Sequence, residues 1–156
     1  MEFLQAVSEW PVASYLRRNE IAYILLNATH IVSIGLIIGS IVALDLRILG
    51  AFRRIPLDAM ATPLSLVGAI GVLLAITSGL GLFSVRPTAY VQNPAFLTKI
   101  TLVGLGVVNA VALNLSASWA RARAGATPTT ALRLSAFLSM FFWAGAILAG
   151  RWIGFL

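Results

Sequence analysis

IAYILLNATHIVSIGLIIGSIVAL, residues 21–44, runs for twenty-four positions without an Asp, Glu, Lys or Arg. At ~1.5 Å per helical residue the run covers roughly 36 Å, enough to cross a hydrocarbon core of ~30 Å. Three similar stretches follow, at residues 63–83, 96–118 and 132–150, the last two holding one cation each, Lys99 and Arg133. Proline and glycine punctuate them. Pro56 follows the first span, Pro63 opens the second in the tolerated first-turn position, Pro87 and Pro94 bracket the second connection, and Gly125 with Pro128 breaks the third. All three connections are short, so neighbouring helices run antiparallel. The predicted fold class is all-α, an integral membrane four-helix bundle occupying residues 21–156.

Composition agrees. Of 156 residues, 60% are hydrophobic and only 10% charged, against about a quarter charged in soluble domains. A soluble chain of ~150 residues still leaves roughly 30% of its unfolded surface in water, so this much apolar surface requires lipid as solvent. With no cysteine, disulfides, thiolate metal sites, iron–sulfur clusters and cysteine nucleophiles are excluded. A single histidine cannot build a His-rich metal site within one chain.

Residues 1–20 have a different pattern. Glu2, Glu9, Arg17, Arg18 and Glu20 interrupt Phe3, Leu4, Val7, Trp10, Tyr15 and Leu16, the signature of an amphipathic segment lying along the membrane surface. Acidic residues and the Trp10-Pro11 break do not suit a signal peptide. Arginine density orients the bundle. Arg47, Arg53, Arg54, Arg121 and Arg123 crowd the connections after the first and third spans, with Arg133 just inside the fourth. Basic loops stay in the cytoplasm, so both termini are expected outside it. The net charge of +6 is spread over both faces and suits anionic headgroups. No basic stripe lies on a soluble element, which argues against nucleic acid as a partner.

Polar groups inside spans are costly and therefore informative. Asn27, His30 and Ser33 follow one another at i, i+3 spacing along one helix face. Two readings fit this stripe. In one it is interhelical glue, worth about 0.6 to 2 kcal/mol. In the other His30 is the axial metal ligand of a haem, its second ring nitrogen held by Asn27 or a carbonyl. Lys99 enters the third span at nearly the same depth, and Arg151 approaches from the end of the fourth. The three cations would ring one non-cytoplasmic pocket suited to carboxylate, propionate or quinone oxygens, unless Lys99 and Arg151 snorkel to headgroups. Gly35 and Gly39, and Ala146, Gly150 and Gly154, are small residues at four-residue spacing and read as close packing. Asp45 is expected to be structural, pairing across helices or with Arg53 or Arg121, and Trp119, Trp143 and Trp152 suit membrane interfaces.

The runs HIVSIGLIIGSIVALDLRILG (30–50), TSGLGLF (77–83) and NPAFLTKITLVGLGVVNA (93–110) resemble a family of small four-helix bacterial membrane proteins of uncharacterised function. More distantly, a histidine early in the first helix, an arginine at its end and a lysine opening the third are similar to the copper-resistance protein D superfamily and its protoporphyrinogen-oxidase relatives. The resemblance implies a bacterial inner membrane location and gives His30 and Lys99 a part in haem or porphyrin binding. The nearer family's pattern has a histidine where Asn114 stands here, which leaves one haem, of the b type, to bind. The function expected is therefore a small membrane protein that binds haem or a related redox ligand in its outer half, in quinone-linked electron transfer. The alternatives are a non-catalytic accessory subunit docked on a larger membrane complex or a second copy, and a copper-handling protein, although only Met1, Met60 and Met140 offer thioethers.

Overall fold

A computed structural model describes residues 2–156. Eight helices follow one another: α1 (Glu2–Glu9), α2 (Pro11–Arg18), α3 (Glu20–Leu49), α4 (Leu57–Val85), α5 (Pro87–Gln92), α6 (Pro94–Leu115), α7 (Ala117–Arg123) and α8 (Thr130–Trp152), closed by a 3-10 turn at Ile153–Phe155. The fold is all-α, with no strand among the described residues. Four elements, α3, α4, α6 and α8 with its closing turn, are long and apolar enough to cross a membrane, and the protein is a multi-pass membrane protein.

The helix ends are set by side-chain caps and differ from the expected boundaries in instructive ways. Asn19 accepts from the Ala22 amide at 3.0 Å and starts α3, which runs past Leu44 to Leu49 and stops at Gly50, where φ is +115°. Asp45 and Arg47 are thus inside the helix. Pro63 does not open the second span: Pro56 caps α4 and Pro63 lies two turns in. Its missing N–H frees the carbonyl of Ala59, an exposed residue near the helix end. The third span ends at Leu115 rather than near residue 118, because the Ser116 hydroxyl caps the Trp119 amide at 3.1 Å and begins α7. Asn93 caps α6 through Ala95 and Phe96, and its amide reaches the Ile153 carbonyl at 3.3 Å, tying the start of α6 to the end of α8. Thr129 caps α8.

Residues 2–18 form two short helices broken at Trp10-Pro11. Arg17 donates to the Ser8 carbonyl at 2.6 Å and to the Val85 carbonyl at 3.4 Å, clipping α1 and α2 to the last turn of α4. Ala13 and Leu16 are buried by that packing.

In the bundle α3 packs on α4, α6 packs on α8, and the two pairs join through α3 and α8. The interior is made of small residues. Ser33, Ser40, Gly68, Gly71, Ser78, Gly81 and Ser84 are buried, whereas Ile21, Val108, Leu115 and Leu148 stand out of the bundle. This is the reverse of a soluble core, because lipid tails solvate large aliphatic side chains and close backbone approach holds the helices. A Cβ on Gly71 would lie 3.1 Å from the Ile37 nitrogen and the Ser33 carbonyl oxygen. Gly35 and Gly39, expected to pack closely, face open space, with nothing within 4 Å of a Cβ at either. Among the described residues the cluster of buried apolar side chains lies at the arginine-rich end, where Ile48, Leu57, Trp119 and Leu132 meet. Trp119 and Trp143 are buried inside the protein, and of the three tryptophans assigned to interfaces only Trp152 is exposed.

Candidate functional site

His30 lies in the third turn of α3, facing the last third of α4. Antiparallel register brings it opposite Ser78 and Gly79. Its Nδ1 is 2.9 Å from Ser78 Oγ, and a Cβ on Gly79 would come within 3.2 Å of its Cε1. The missing side chain at Gly79 makes the space into which the imidazole fits. Ser78 has one proton, and its hydroxyl donates to the Leu74 carbonyl at 2.5 Å. With the hydroxyl donating to Leu74, its oxygen is placed to accept a ring proton carried on Nδ1, the tautomer that would leave a lone pair on Nε2.

Ser33, one turn further along α3, is fully buried, but its hydroxyl donates back to the His30 carbonyl at 2.7 Å. It closes a helix turn and does not present a free polar group. Asn27 is exposed and does not hold the second nitrogen of His30. The group at Nδ1 is Ser78, on α4 and not on His30's own helix.

Lys99, in the second turn of α6, is half-buried. Its stem lies on Gly150 of α8, where a Cβ would be 3.4 to 3.6 Å from its Cδ, Cε and Nζ. The ammonium is within electrostatic range of the imidazole. No acid or other acceptor pairs with it among the described residues. Arg151 does not join these two. Its guanidinium is exposed and lies over the Phe155 ring, 4.8 Å from the centroid, a cation–π contact that turns it away from the bundle. Of the three residues expected together, Lys99 is within electrostatic range of His30 and Arg151 is not joined to them.

Beside the pair, Phe83, Tyr90 and Phe96 form an aromatic cluster with centroids 5.2 to 6.1 Å apart. Burial pushes the Tyr90 phenol above its ordinary value, and the neighbouring Tyr23 adds to the effect. An oriented imidazole, an ammonium lacking a counter-ion, and aromatic rings suit a flat anionic redox cofactor. The set offers one imidazole nitrogen that could meet a metal and one ammonium that could meet a carboxylate. Among the described residues no group of three or more His, Cys, Asp or Glu side chains gathers to hold a bare metal ion.

At the arginine-rich end, of the two partnerships expected for Asp45 the cross-helix one stands, with Ser139 of α8 beside its carboxyl, and the arginine one does not. Asp45 makes no ion pair with any arginine. The nearby guanidiniums are satisfied by local groups, Arg47 by the Ile55 carbonyl at 2.8 Å, Arg53 by the Gly50 carbonyl at 2.9 Å and Arg121 by Ser118 at 3.3 Å. The only salt bridge among the described residues joins Arg123 to Asp58 at 2.7 Å. Asn109 and Ser135 exchange two hydrogen bonds of 2.9 and 3.0 Å and lock α6 to α8.

No family model, curated protein or solved structure matches the chain.

Proposed function

We propose that this is a bacterial inner-membrane protein that binds one haem b, or a closely related redox-active macrocycle, where His30 and Lys99 meet, and exchanges electrons with quinone. The observation that carries this reading is the 2.9 Å contact of His30 Nδ1 with Ser78 Oγ, which orients the ring. A hydrogen-bonded Nδ1–H with a free Nε2 lone pair is the arrangement that histidine ligands adopt, since the bond orients the ring and raises its basicity. Lys99 supports it as an ammonium available to a propionate. Bound haem would supply one-electron chemistry, while the chain contributes the axial nitrogen, the charge that orients the ring and the helices that exclude water.

The arginine-rich connections support an orientation with both termini outside the cytoplasm. In that orientation the His30 end faces the non-cytoplasmic side. An introduced thiol at Gln92 is then labelled from outside the cell and one at Thr127 is not.

The test is the visible absorption spectrum of protein expressed with haem supplied. A Soret band that disappears in His30→Ala and persists, weakened or shifted, in Lys99→Ala supports the proposal. No Soret band in the wild type, with His30→Ala folding normally, makes His30 bundle glue. One observation favours the accessory-subunit reading in that event: the open stripe at Gly35 and Gly39 on α3 is shaped for close approach of another helix.

A further inference from the structure

Away from His30 the two helix pairs part. α4 and α6 are not packed on each other, and a groove of about 460 Å³ lies between them. Asp45 of α3 and Ser139 and Trp143 of α8 line its inner side. Its lips are Leu73 and Ile76 on α4 and Val111 and Leu115 on α6, all exposed. Asp45 is fifteen residues beyond His30, roughly 22 Å along α3. The groove and the His30 site share no residue.

Two groups at this groove have no partner. Asp45 is only 4% exposed, with Ser139 beside its carboxyl, and Oδ2 has no partner among the described residues. Trp143 is 5% exposed, its indole is held against Gly106 of α6, and its N–H has no acceptor there either. Buried polar groups are hydrogen-bonded in more than nine cases of ten, so two orphans on one groove mark it as built for a guest. An occupant must be apolar along its body so as to pass lips of leucine, isoleucine and valine, and must carry an oxygen for the polar inner wall. An indole beside the carboxyl favours a flat ring.

We propose that the groove binds a quinone-type ring, entering sideways from the bilayer between α4 and α6, with a ring oxygen against Asp45. A quinol hydroxyl donates to the Asp45 carboxylate, and a quinone carbonyl accepts from its acid form or from the Trp143 N–H. The two redox forms share this chemistry. The inference deepens the electron-transfer reading by giving its lipid-phase partner a place, and the experiment below does not require haem at His30.

The purified protein in nanodiscs is titrated with decylubiquinol and, separately, decylubiquinone, and tryptophan fluorescence is followed. Saturable quenching is expected, and the tighter-binding form identifies which redox state is held. Asp45→Leu weakens that binding by about tenfold, equivalent to the loss of one hydrogen bond of roughly 1.4 kcal/mol. Ala69→Phe, an exposed wall position whose ring projects into the groove, abolishes saturation without touching Asp45. Quenching that rises linearly and equally in the wild type and Ala69→Phe means that acyl chains alone fill the groove, and overturns the proposal. So does saturable binding unchanged in Asp45→Leu.

Discussion

His30 Nδ1 meets Ser78 Oγ across the α3–α4 contact at 2.9 Å, and the Ser78 hydroxyl donates to the Leu74 carbonyl at 2.5 Å. The hydrogen-bond chain ends on backbone, and it holds the imidazole in one orientation against the space that Gly79 leaves.

Ser78→Ala removes the acceptor while leaving His30 in place. Haem affinity is expected to fall by about 10- to 100-fold, the usual cost of losing a group that orients a metal-binding histidine. The reduction potential should move as well, since the ligand becomes less basic. Ser78→Thr keeps the hydroxyl and should restore both. Haem titration and potentiometry of the three proteins check this, and an unchanged potential in Ser78→Ala would separate Ser78 from the site.

Helix packing is expected to depend on glycines that touch backbone and not on those that face outward. Gly71→Ala puts a methyl 3.1 Å from backbone atoms of α3 and must push the two helices apart, whereas Gly104→Ala meets nothing within 4 Å. Thermal unfolding in detergent should show Gly71→Ala destabilised by about 1–3 kcal/mol. Gly104→Ala should be unchanged or stabilised by up to about 1 kcal/mol from helix propensity.

Asp45→Leu should make the protein more stable while impairing the groove. The native carboxyl is buried with one oxygen unpartnered, and replacing an unsatisfied buried group by an apolar one of similar size removes a penalty of about 1–3 kcal/mol. A raised unfolding temperature in detergent is the expected result. A large loss of stability would mean that Asp45 holds the helices together.

The spans were legible because lipid-facing helices need long runs without charge, and residues 21–44 have that run. Their ends were less so. Pro63 reads as a helix start, but a proline two turns inside α4 is tolerated where the freed carbonyl is on an exposed residue. Ser116 reads as mid-span, yet its hydroxyl ends α6 and begins α7. At the site, His30 and Lys99 were visible as polar groups at matching depth in parallel helices. Ser78 and Gly79 were not, because serine and glycine recur throughout these spans and only the α3–α4 register singles out one pair. Sequence leaves Asp45 two kinds of partner, a group across the helices or an arginine of the connections, and the structure puts Ser139 of α8 beside it. The loop carbonyls that occupy Arg47 and Arg53 come from the Gly50 turn, which sequence spacing does not display. Arg151 was placed with the cations by depth alone, while Phe155, one turn on, draws it outward.

The central claim, that His30 Nε2 is a ligand and not packing, is tested most directly by removing the side chain and returning the ring as a solute. His30→Gly, expressed with haem supplied, should lack the Soret band of the wild type and regain it when imidazole is added to the purified protein, because the space beside Gly79 and the acceptor at Ser78 remain. A wild type without a Soret band, or a His30→Gly protein that keeps the band before imidazole is added, would contradict it.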